Sequence, residues 1–163
     1  MSRVLPLLFL LACAVPAHAA DAPLRAALFP VEFVDTSPRP PQPAELARVK
    51  ALGAQLRDLL EKSGRYSFVD ITPVAAEVAS RDLWNCNGCG TALAKKVGAQ
   101  VSVVAWVQKV SDLILNINAV IRDTSTGEPL AAGSVDIRGN TDETWSRGLR
   151  YLVQNRLLSR GSP

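Results

Sequence analysis

Histidine is almost absent from this sequence, which has a single histidine, His18, among its 163 residues. Arg3, the apolar run VLPLLFLLACAV and the segment PAHAA that follows are typical of a secretory signal peptide, with cleavage after Ala19. We therefore expect residues 1–19 to be a signal peptide and residues 20–163 to form one α/β domain. Cleavage would remove the histidine, and this loss excludes Ser-His-Asp catalysis, Cys-His catalysis and the commonest zinc ligand.

Cysteine is also scarce, and one of the three cysteines, Cys13, falls inside the predicted signal peptide. The run LLAC, which ends at Cys13, allows an alternative in which the signal is that of a lipoprotein and Cys13 is lipidated. Cys86 and Cys89 remain, but Gly90 stands where a c-type haem site needs histidine. Two cysteines without histidine supply only two of the four ligands of a tetrahedral zinc site, which would then need carboxylates or a second subunit. These absences predict no catalytic residue, no cofactor and no metal ligand.

The Cys86 and Cys89 pair has two interpretations. In an oxidising compartment such a pair forms a structural disulfide, and the Asn-Gly dipeptide between the cysteines tolerates the positive φ angles of a tight loop. The alternative is thiol–disulfide exchange, because a cysteine at the start of a helix has a lowered thiol pKa. We expect the structural disulfide, and hence a protein that is not an enzyme.

Long apolar runs and a strong net charge are missing as well. The run in the predicted signal is shorter than the ~20 apolar residues of a membrane-spanning helix, and no later segment approaches that length. Lys and Arg number 18 against 15 Asp and Glu, and aromatic residues make up 6% of the chain, so no nucleic-acid surface is expected. No small-molecule ligand is evident. The expected location is the periplasm, and the expected partner is an envelope protein or a second copy of the chain.

The rest of the chain alternates between strand-like and helix-like periods, in the order β-α-β-α-α-β-β-β-α. A proline-rich loop, residues 36–43, follows the first strand. This order predicts an α/β fold of the α+β type, with a mixed sheet of about five strands and helices mainly on one face. The predicted strands are 26–35, 66–71, 100–110, 113–123 and 130–138, and the predicted helices are 44–62, 72–80, 91–97 and a last helix capped by Asn140 or Thr141.

Periodicity also predicts which side chains are buried. Alternation places the apolar residues of the last three strands on one face and their amides and charges on the other, which fixes the register. The residues expected to share a face in the first strand are Ala27, Phe29, Val31 and Phe33. The residues expected to form the buried stripe of the last helix are Trp145, Leu149, Leu152, Val153 and Leu157.

Trp106 falls on the polar face of this predicted sheet. A large aromatic side chain ringed by hydrogen-bonding groups is typical of an interface anchor. The alternative is that a second layer of the protein, the proline-rich loop or a dimer mate covers it. The candidate interface residues are Trp106, Asn116, Asn118, Arg122, Asp136 and Arg138.

Two stretches carry a resemblance to known families. GAQVSVVAWVQKV and LNINAVIRDTSTGEPLAAGSVDIRG, followed by an amphipathic helix, resemble the amino-terminal domain of TolB and CsgG-like secretion proteins, and SGRYSFVD matches the short strand after the first helix there. CNGCGTALAKKVGA with VDIRGNTDETWSRGLRYL is similar to a family of small secreted bacterial proteins of unknown function. The resemblance implies an α/β domain used for protein contacts in the envelope. It supplies no activity and no functional residue, and the β-propeller of TolB is absent from this sequence.

Overall fold

The structure, a computed structural model, describes residues 22–159, so the predicted signal peptide and Cys13 lie outside the described residues. No helix in this range is long and apolar enough to cross a lipid bilayer. The strands are β1 (Leu24–Leu28), β2 (Glu32–Asp35), β3 (Tyr66–Phe68), β4 (Val101–Ser111), β5 (Ile114–Asp123) and β6 (Pro129–Arg138). The helices are α1 (Pro43–Lys62), α2 (Ala75–Ala79) after a 3-10 turn at Thr72–Val74, α3 (Cys89–Lys96), and α4 (Asp142–Leu152), which continues into a π-helical turn at Val153–Leu157.

The strands form one six-stranded mixed sheet in the order β3-β1-β4-β5-β6, with β2 also beside β4. Strand β1 runs parallel to β3 and β4, and β2 runs parallel to β4. Strands β4, β5 and β6 form an antiparallel meander. The predicted α+β class, the mixed sheet and the meander are therefore confirmed.

The first predicted strand is present as two strands, β1 and β2, along the same edge of β4. Leu28 pairs with Val103, but Glu32 pairs with Trp106, so the β1–β2 stretch contains one residue more than the stretch of β4 beside it. The extra residue forms a bulge next to Pro30, which has no backbone N–H to donate. The sheet consequently has one strand more than the sequence predicts.

The bulge also changes which face the side chains of this stretch occupy. Ala27 and Phe29 belong to one apolar cluster, whereas Val31 and Phe33 pack with the other. The prediction that all four share a face is wrong, because a one-residue bulge reverses the alternation beyond it.

The main core lies between the sheet and the two longer helices, α1 and α4, which pack on the same face as predicted. The residues of β4 and β5 that are buried on this face are Val101, Val103, Ala105, Val107, Leu115, Ile117, Ala119 and Ile121. The predicted stripe of the last helix is also confirmed, because all five of its residues are buried. Thr141 begins α4 as the N-cap, since its Oγ1 accepts a hydrogen bond of 3.2 Å from the backbone N–H of Thr144.

A smaller apolar cluster lies on the opposite face, beneath α2, α3 and the segment between them. Its buried members are Ala27, Phe29, Val74, Leu83, Leu93, Ala94, Ala99 and Val104. Helix α3 can approach β4 closely because Gly90, at the contact, has no side chain. A Cβ atom at this position would lie only 2.9 Å from Cγ2 of Val104. These short helices cover the face over β1 and the first part of β4, and they leave most of β5 and β6 open.

Candidate functional site

The open part of the second sheet face carries the residues that the sequence predicted as an interface. In one row Trp106 pairs with Asn118, and in the next row Asn116 pairs with Asp136. Arg122 and Arg138 stand on the same face at opposite ends of the β5–β6 pair. The structure thus brings all the predicted residues onto one surface, which we call the polar face: Trp106, Asn116, Asn118, Arg122, Asp136 and Arg138.

Side-chain hydrogen bonds fix part of the polar face. The Nδ2 atom of Asn116 donates to Oγ of Ser134 at 2.8 Å and to Oδ1 of Asp136 at 2.7 Å. The hydroxyl of Ser134 donates back to Oδ1 of Asn116 at 3.0 Å. Asn118 and Arg138, in contrast, make no side-chain hydrogen bond or ion pair with another described residue. The polar face therefore combines an ordered ladder with two groups that are available to a partner.

Trp106 is half-buried, and Trp84 covers it on one side. The two ring centroids lie 6.5 Å apart, and Trp84 is itself 38% exposed. Glu32, the neighbour of Trp106 in β2, holds this arrangement, because its carboxylate accepts the backbone N–H groups of Leu83 at 2.8 Å and Trp84 at 2.7 Å. Burial raises the pKa of the Glu32 carboxyl, although these two N–H groups oppose the shift. The Trp84 segment therefore covers part of Trp106, as the alternative to an interface anchor expected, and Trp84 itself is partly exposed beside it.

The loop that carries Trp84 continues through the cysteine pair into α3. The positive φ angles predicted for the dipeptide between the cysteines are confirmed, at 35° for Asn87 and 98° for Gly88. The Cα atoms of Cys86 and Cys89 are 5.7 Å apart, which is within the range for a disulfide. Both cysteines pack against the smaller apolar cluster. A bond between them would fix the loop against α3, and the structural disulfide remains a prediction.

A groove of about 460 Å³ separates this loop from the polar face. Trp84 and Thr91 line one wall, Trp106 and Ser134 lie on its floor, and Arg122 stands at one end. The Nη1 atom of Arg122 donates to a backbone carbonyl of the β5–β6 turn at 3.1 Å. The Oγ1 atom of Thr91 is buried and has no hydrogen-bond partner among the described residues. The groove thus offers aromatic, hydroxyl and cationic groups side by side.

A buried charged cluster lies on the other face of the sheet, where β2, the start of α1 and the β4–β5 turn meet. The Nζ atom of Lys109 lies 2.6 Å from Oε1 of Glu45, 3.2 Å from Oδ1 of Asp112 and 3.7 Å from Oδ2 of Asp35. The side chains of Lys109 and Glu45 are each only 2% exposed. Asn140 also donates to Glu45. The cluster ties four segments together, so its expected role is structural.

The pKa values of the two buried carboxyl groups are lowered in spite of burial. Burial pushes the pKa of Glu45 upward, but the backbone N–H of Gln42 and the Lys109 ammonium outweigh it. The pKa of Asp35 is lowered in the same way, by Ser37 and Lys109 against the effect of burial. Sequence reasoning missed this cluster, although Lys109 occupies an apolar position in the alternation of β4, and that position was the available signal.

Comparison with known proteins supports the fold and leaves the activity open. The family model DUF3280, described as "Protein of unknown function (DUF2380)", matches residues 24–157. No curated protein matches the sequence. The LpoB C-terminal domain from Salmonella enterica is 15% identical and covers 75% of this chain and 87% of its own, with a TM-score of 0.52. For the PelC dodecamer from Paraburkholderia phytofirmans the identity is 9%, the coverage 88% and 93%, and the TM-score 0.56.

The TM-score for TolB, whose amino-terminal domain the sequence resembles, is lower than those for LpoB and PelC. TolB from Acinetobacter baumannii is 12% identical and covers 83% of this chain and 29% of its own, with a TM-score of 0.47. The resemblance to CsgG-like proteins stays a prediction. At such identities the likeness to solved structures concerns the fold alone.

Proposed function

The chain belongs to the DUF3280 family, whose description gives no function, and we propose that it is a non-enzymatic protein-interaction module of the bacterial cell envelope. One observation carries this proposal. The polar face is left open by the helices on its side of the sheet, and it presents the Trp84–Trp106 pair next to a row of amide, hydroxyl and charged groups.

The chemistry of the polar face suits a protein partner. Tryptophan and arginine are enriched where binding energy concentrates in protein interfaces, and Trp84 and Arg138 are both exposed. Asn118 lies between the aromatic pair and the hydrogen-bonded ladder, so a partner backbone above it could accept or donate without displacing an existing bond. An arrangement of this kind supplies an apolar anchor with a polar rim.

The envelope location rests on the predicted signal peptide, residues 1–19. Export to the periplasm is the expected route, and a lipid anchor at Cys13 is the alternative. In either case the proposed partner is an envelope protein or a second copy of this chain. The dodecamer named for PelC makes the second copy worth testing, although the shared fold does not by itself carry an assembly to this chain.

Site-specific photo-crosslinking in the producing bacterium would test this function. A photoreactive amino acid at Asn118 should give a discrete adduct with one envelope protein or with a second copy. The matched control places the same amino acid at Lys50, which is exposed on α1, on the opposite side of the sheet. Trp84→Ala should weaken the Asn118 adduct strongly, because truncation of an interface anchor typically costs ~2 kcal/mol or more.

The opposite outcomes would contradict the proposal. These are equal labelling from Asn118 and Lys50, no adduct from Asn118 at natural expression levels, or an Asn118 adduct that Trp84→Ala leaves unchanged in a variant that stays folded. Mass spectrometry of the adduct would distinguish an envelope protein from a second copy.

Thiol–disulfide exchange at Cys86 and Cys89 is the second candidate. The position of Cys89 as the first residue of α3 favours it, because the amino-terminal end of a helix stabilises a thiolate. A measured reduction potential separates the two functions, since a value below about −300 mV indicates a structural disulfide. Reduction of insulin that depends on either cysteine would support the exchange function instead.

A further inference from the structure

The groove between the Trp84 loop and the polar face has one charged residue among those that line it, Arg122. The guanidinium of Arg122 donates one hydrogen bond, to the backbone carbonyl in the β5–β6 turn, and makes no ion pair with a described residue. The neighbouring carboxylate of Asp123 is engaged elsewhere, because it accepts the backbone N–H groups of Ser125 and Thr126. An arginine side chain has five N–H donors, so most of those of Arg122 are available to a ligand.

Two hydroxyl groups that line the groove also lack partners. Ser102 pairs with Arg122 across β4 and β5, and its side chain lies in the groove. Ser102 is 1% exposed, yet its hydroxyl makes no hydrogen bond with a described residue. The buried Oγ1 atom of Thr91 has no partner either. A buried polar group without a hydrogen bond costs free energy, which a polar ligand in the groove would recover.

The amino-terminal end of α3 borders the same groove, because Gly88, Gly90 and Thr91 line it. Gly88 is the N-cap residue and supplies no capping side chain, and the first turn of α3 contains no acidic residue. The positive end of the helix dipole therefore has no anionic side chain beside it in this turn, and it favours a negative charge nearby. The helix end and Arg122 together give the groove a preference for an anionic group.

The rest of the groove is apolar and aromatic. Val104 and Val120 pair with each other on the floor, between the row of Arg122 and the row of Trp106. The two rows are four residues apart along β5, which corresponds to ~13 Å. The Trp84–Trp106 pair lies beyond the valines. The groove volume of about 460 Å³ falls within the range of ~300–1,000 Å³ that is usual for small-molecule sites.

We propose that this groove binds a small organic anion, with a carboxylate on an apolar body that ends in an aromatic ring. The carboxylate accepts N–H groups of Arg122 and the hydroxyl of Ser102, and the ring packs against Trp84 and Trp106. The sequence gave no sign of this ligand, because the lining residues come from separate stretches of the chain. The site does not depend on the proposed protein partner, since the isolated chain contains all of it.

Purified protein and three probes test this proposal. Phenylhexanoate, phenylhexanol and phenylhexylamine, each with the ring at the far end of the chain, share one apolar body and differ in the charge of the head group. In calorimetric titrations the carboxylate should bind about tenfold or more tightly than the alcohol, because it alone forms charge-assisted hydrogen bonds with Arg122. The amine should bind no better than the alcohol.

The three tryptophans of the chain report where the probe binds. In NMR spectra phenylhexanoate should shift the indole N–H signals of Trp84 and Trp106. It should leave the signal of Trp145 in place, because Trp145 is buried in the main core on the other face of the sheet.

Three variants make the test specific. Arg122→Gln should lower the affinity for phenylhexanoate to about that for phenylhexanol. The matched control, Arg25→Gln, removes the same charge from β1 at an exposed position that does not line the groove, and it should leave the affinity unchanged. Ser102→Ala should weaken binding of the carboxylate about threefold or more. It tests the site independently if circular dichroism shows that Arg122→Gln disturbs the fold.

Four results would overturn the proposal. They are no binding of phenylhexanoate at millimolar concentration, equal affinities for the carboxylate and the alcohol, a shift of Trp145 as large as those of Trp84 and Trp106, or unchanged binding in both Arg122→Gln and Ser102→Ala. None of these results depends on the crosslinking from Asn118, so the groove and the polar face can fail separately.

Discussion

Removing Lys109 should strongly destabilise the protein, because the substitution leaves two buried carboxylates without their cation. Lys109→Ala removes the ammonium that lies 2.6 Å from Glu45, and Glu45 is buried to 2% exposure. Breaking a buried ion pair by deleting one partner typically costs ~3–5 kcal/mol. For a chain of this size that corresponds to a fall in Tm of about 10 °C.

The same substitution should change the pH dependence of stability near pH 4 to 6. In the natural protein the pKa values of Asp35 and Glu45 are lowered, so the stability they contribute is present above the unfolded pKa of ~4 and is lost as pH falls through the folded pKa. Without Lys109 the effect of burial is opposed only by Gln42 and Asn140, and the pKa of the Glu45 carboxyl should rise. Glu45 would then bind its proton at a higher pH in the folded variant than in the natural protein, so the deficit of the variant should shrink as pH falls from 7 to 5.

Urea unfolding at pH 7 and pH 5 would measure both effects. Lys50→Ala, which removes an exposed lysine of α1, is the matched control and should change stability little. Lys109→Met combined with Glu45→Gln should recover part of the loss, because it removes both members of the closest pair. The reasoning would be refuted if Lys109→Ala lowered the free energy of unfolding by less than ~1 kcal/mol, because a loss of that size is typical of a surface ion pair. A deficit that grows as pH falls would also refute it.

Two further predictions concern packing and the cysteine pair. Gly148→Ala should destabilise by ~1–3 kcal/mol, because the new methyl would press on Ile137 at 2.4 Å. Gly53→Ala in α1 should instead stabilise the protein by ~0.5–1 kcal/mol, because the added Cβ would lie 3.4 Å from its nearest neighbour and alanine favours a helix. Thermal unfolding of both variants would show whether the two changes in stability have opposite signs. Serine at both Cys86 and Cys89 should cost ~2 kcal/mol without unfolding the domain, and two free thiols in mass spectra of periplasmic protein would contradict the disulfide.

The meander and the last helix follow from local pattern. Strand β5 alternates cleanly, so Leu115 and Ile117 had to face the core if Asn116 and Asn118 were to avoid it. A slip of one residue would bury the amides. The alternation therefore determines the register of the strands. For this reason the sequence alone was enough to predict which residues share the polar face.

The bulge in the first strand and the buried cluster depend on contacts that local pattern does not contain. Pro30 signals an interruption, but only the pairing of Glu32 with Trp106 shows that one residue is extra. The contact of Lys109 with Glu45 joins residues 64 positions apart. The contact of Glu32 with the Trp84 loop spans 52 positions. A charged residue at an apolar position indicates that a partner exists, and it does not say which residue is that partner.

The two faces of the sheet differ in burial and in how many of their polar groups are already hydrogen-bonded. This difference affects how the proposed partner would gain affinity. On the face covered by α1 and α4, large apolar residues and the Lys109–Glu45 pair are buried. On the polar face, Asn116 and Asp136 already satisfy one another, so the surface stays stable without a partner. A partner therefore gains little from the ladder and must draw its affinity from the Trp84–Trp106 pair and from Asn118 and Arg138. Such an interface suits reversible association, because the ladder of Asn116, Ser134 and Asp136 is already hydrogen-bonded in the free protein.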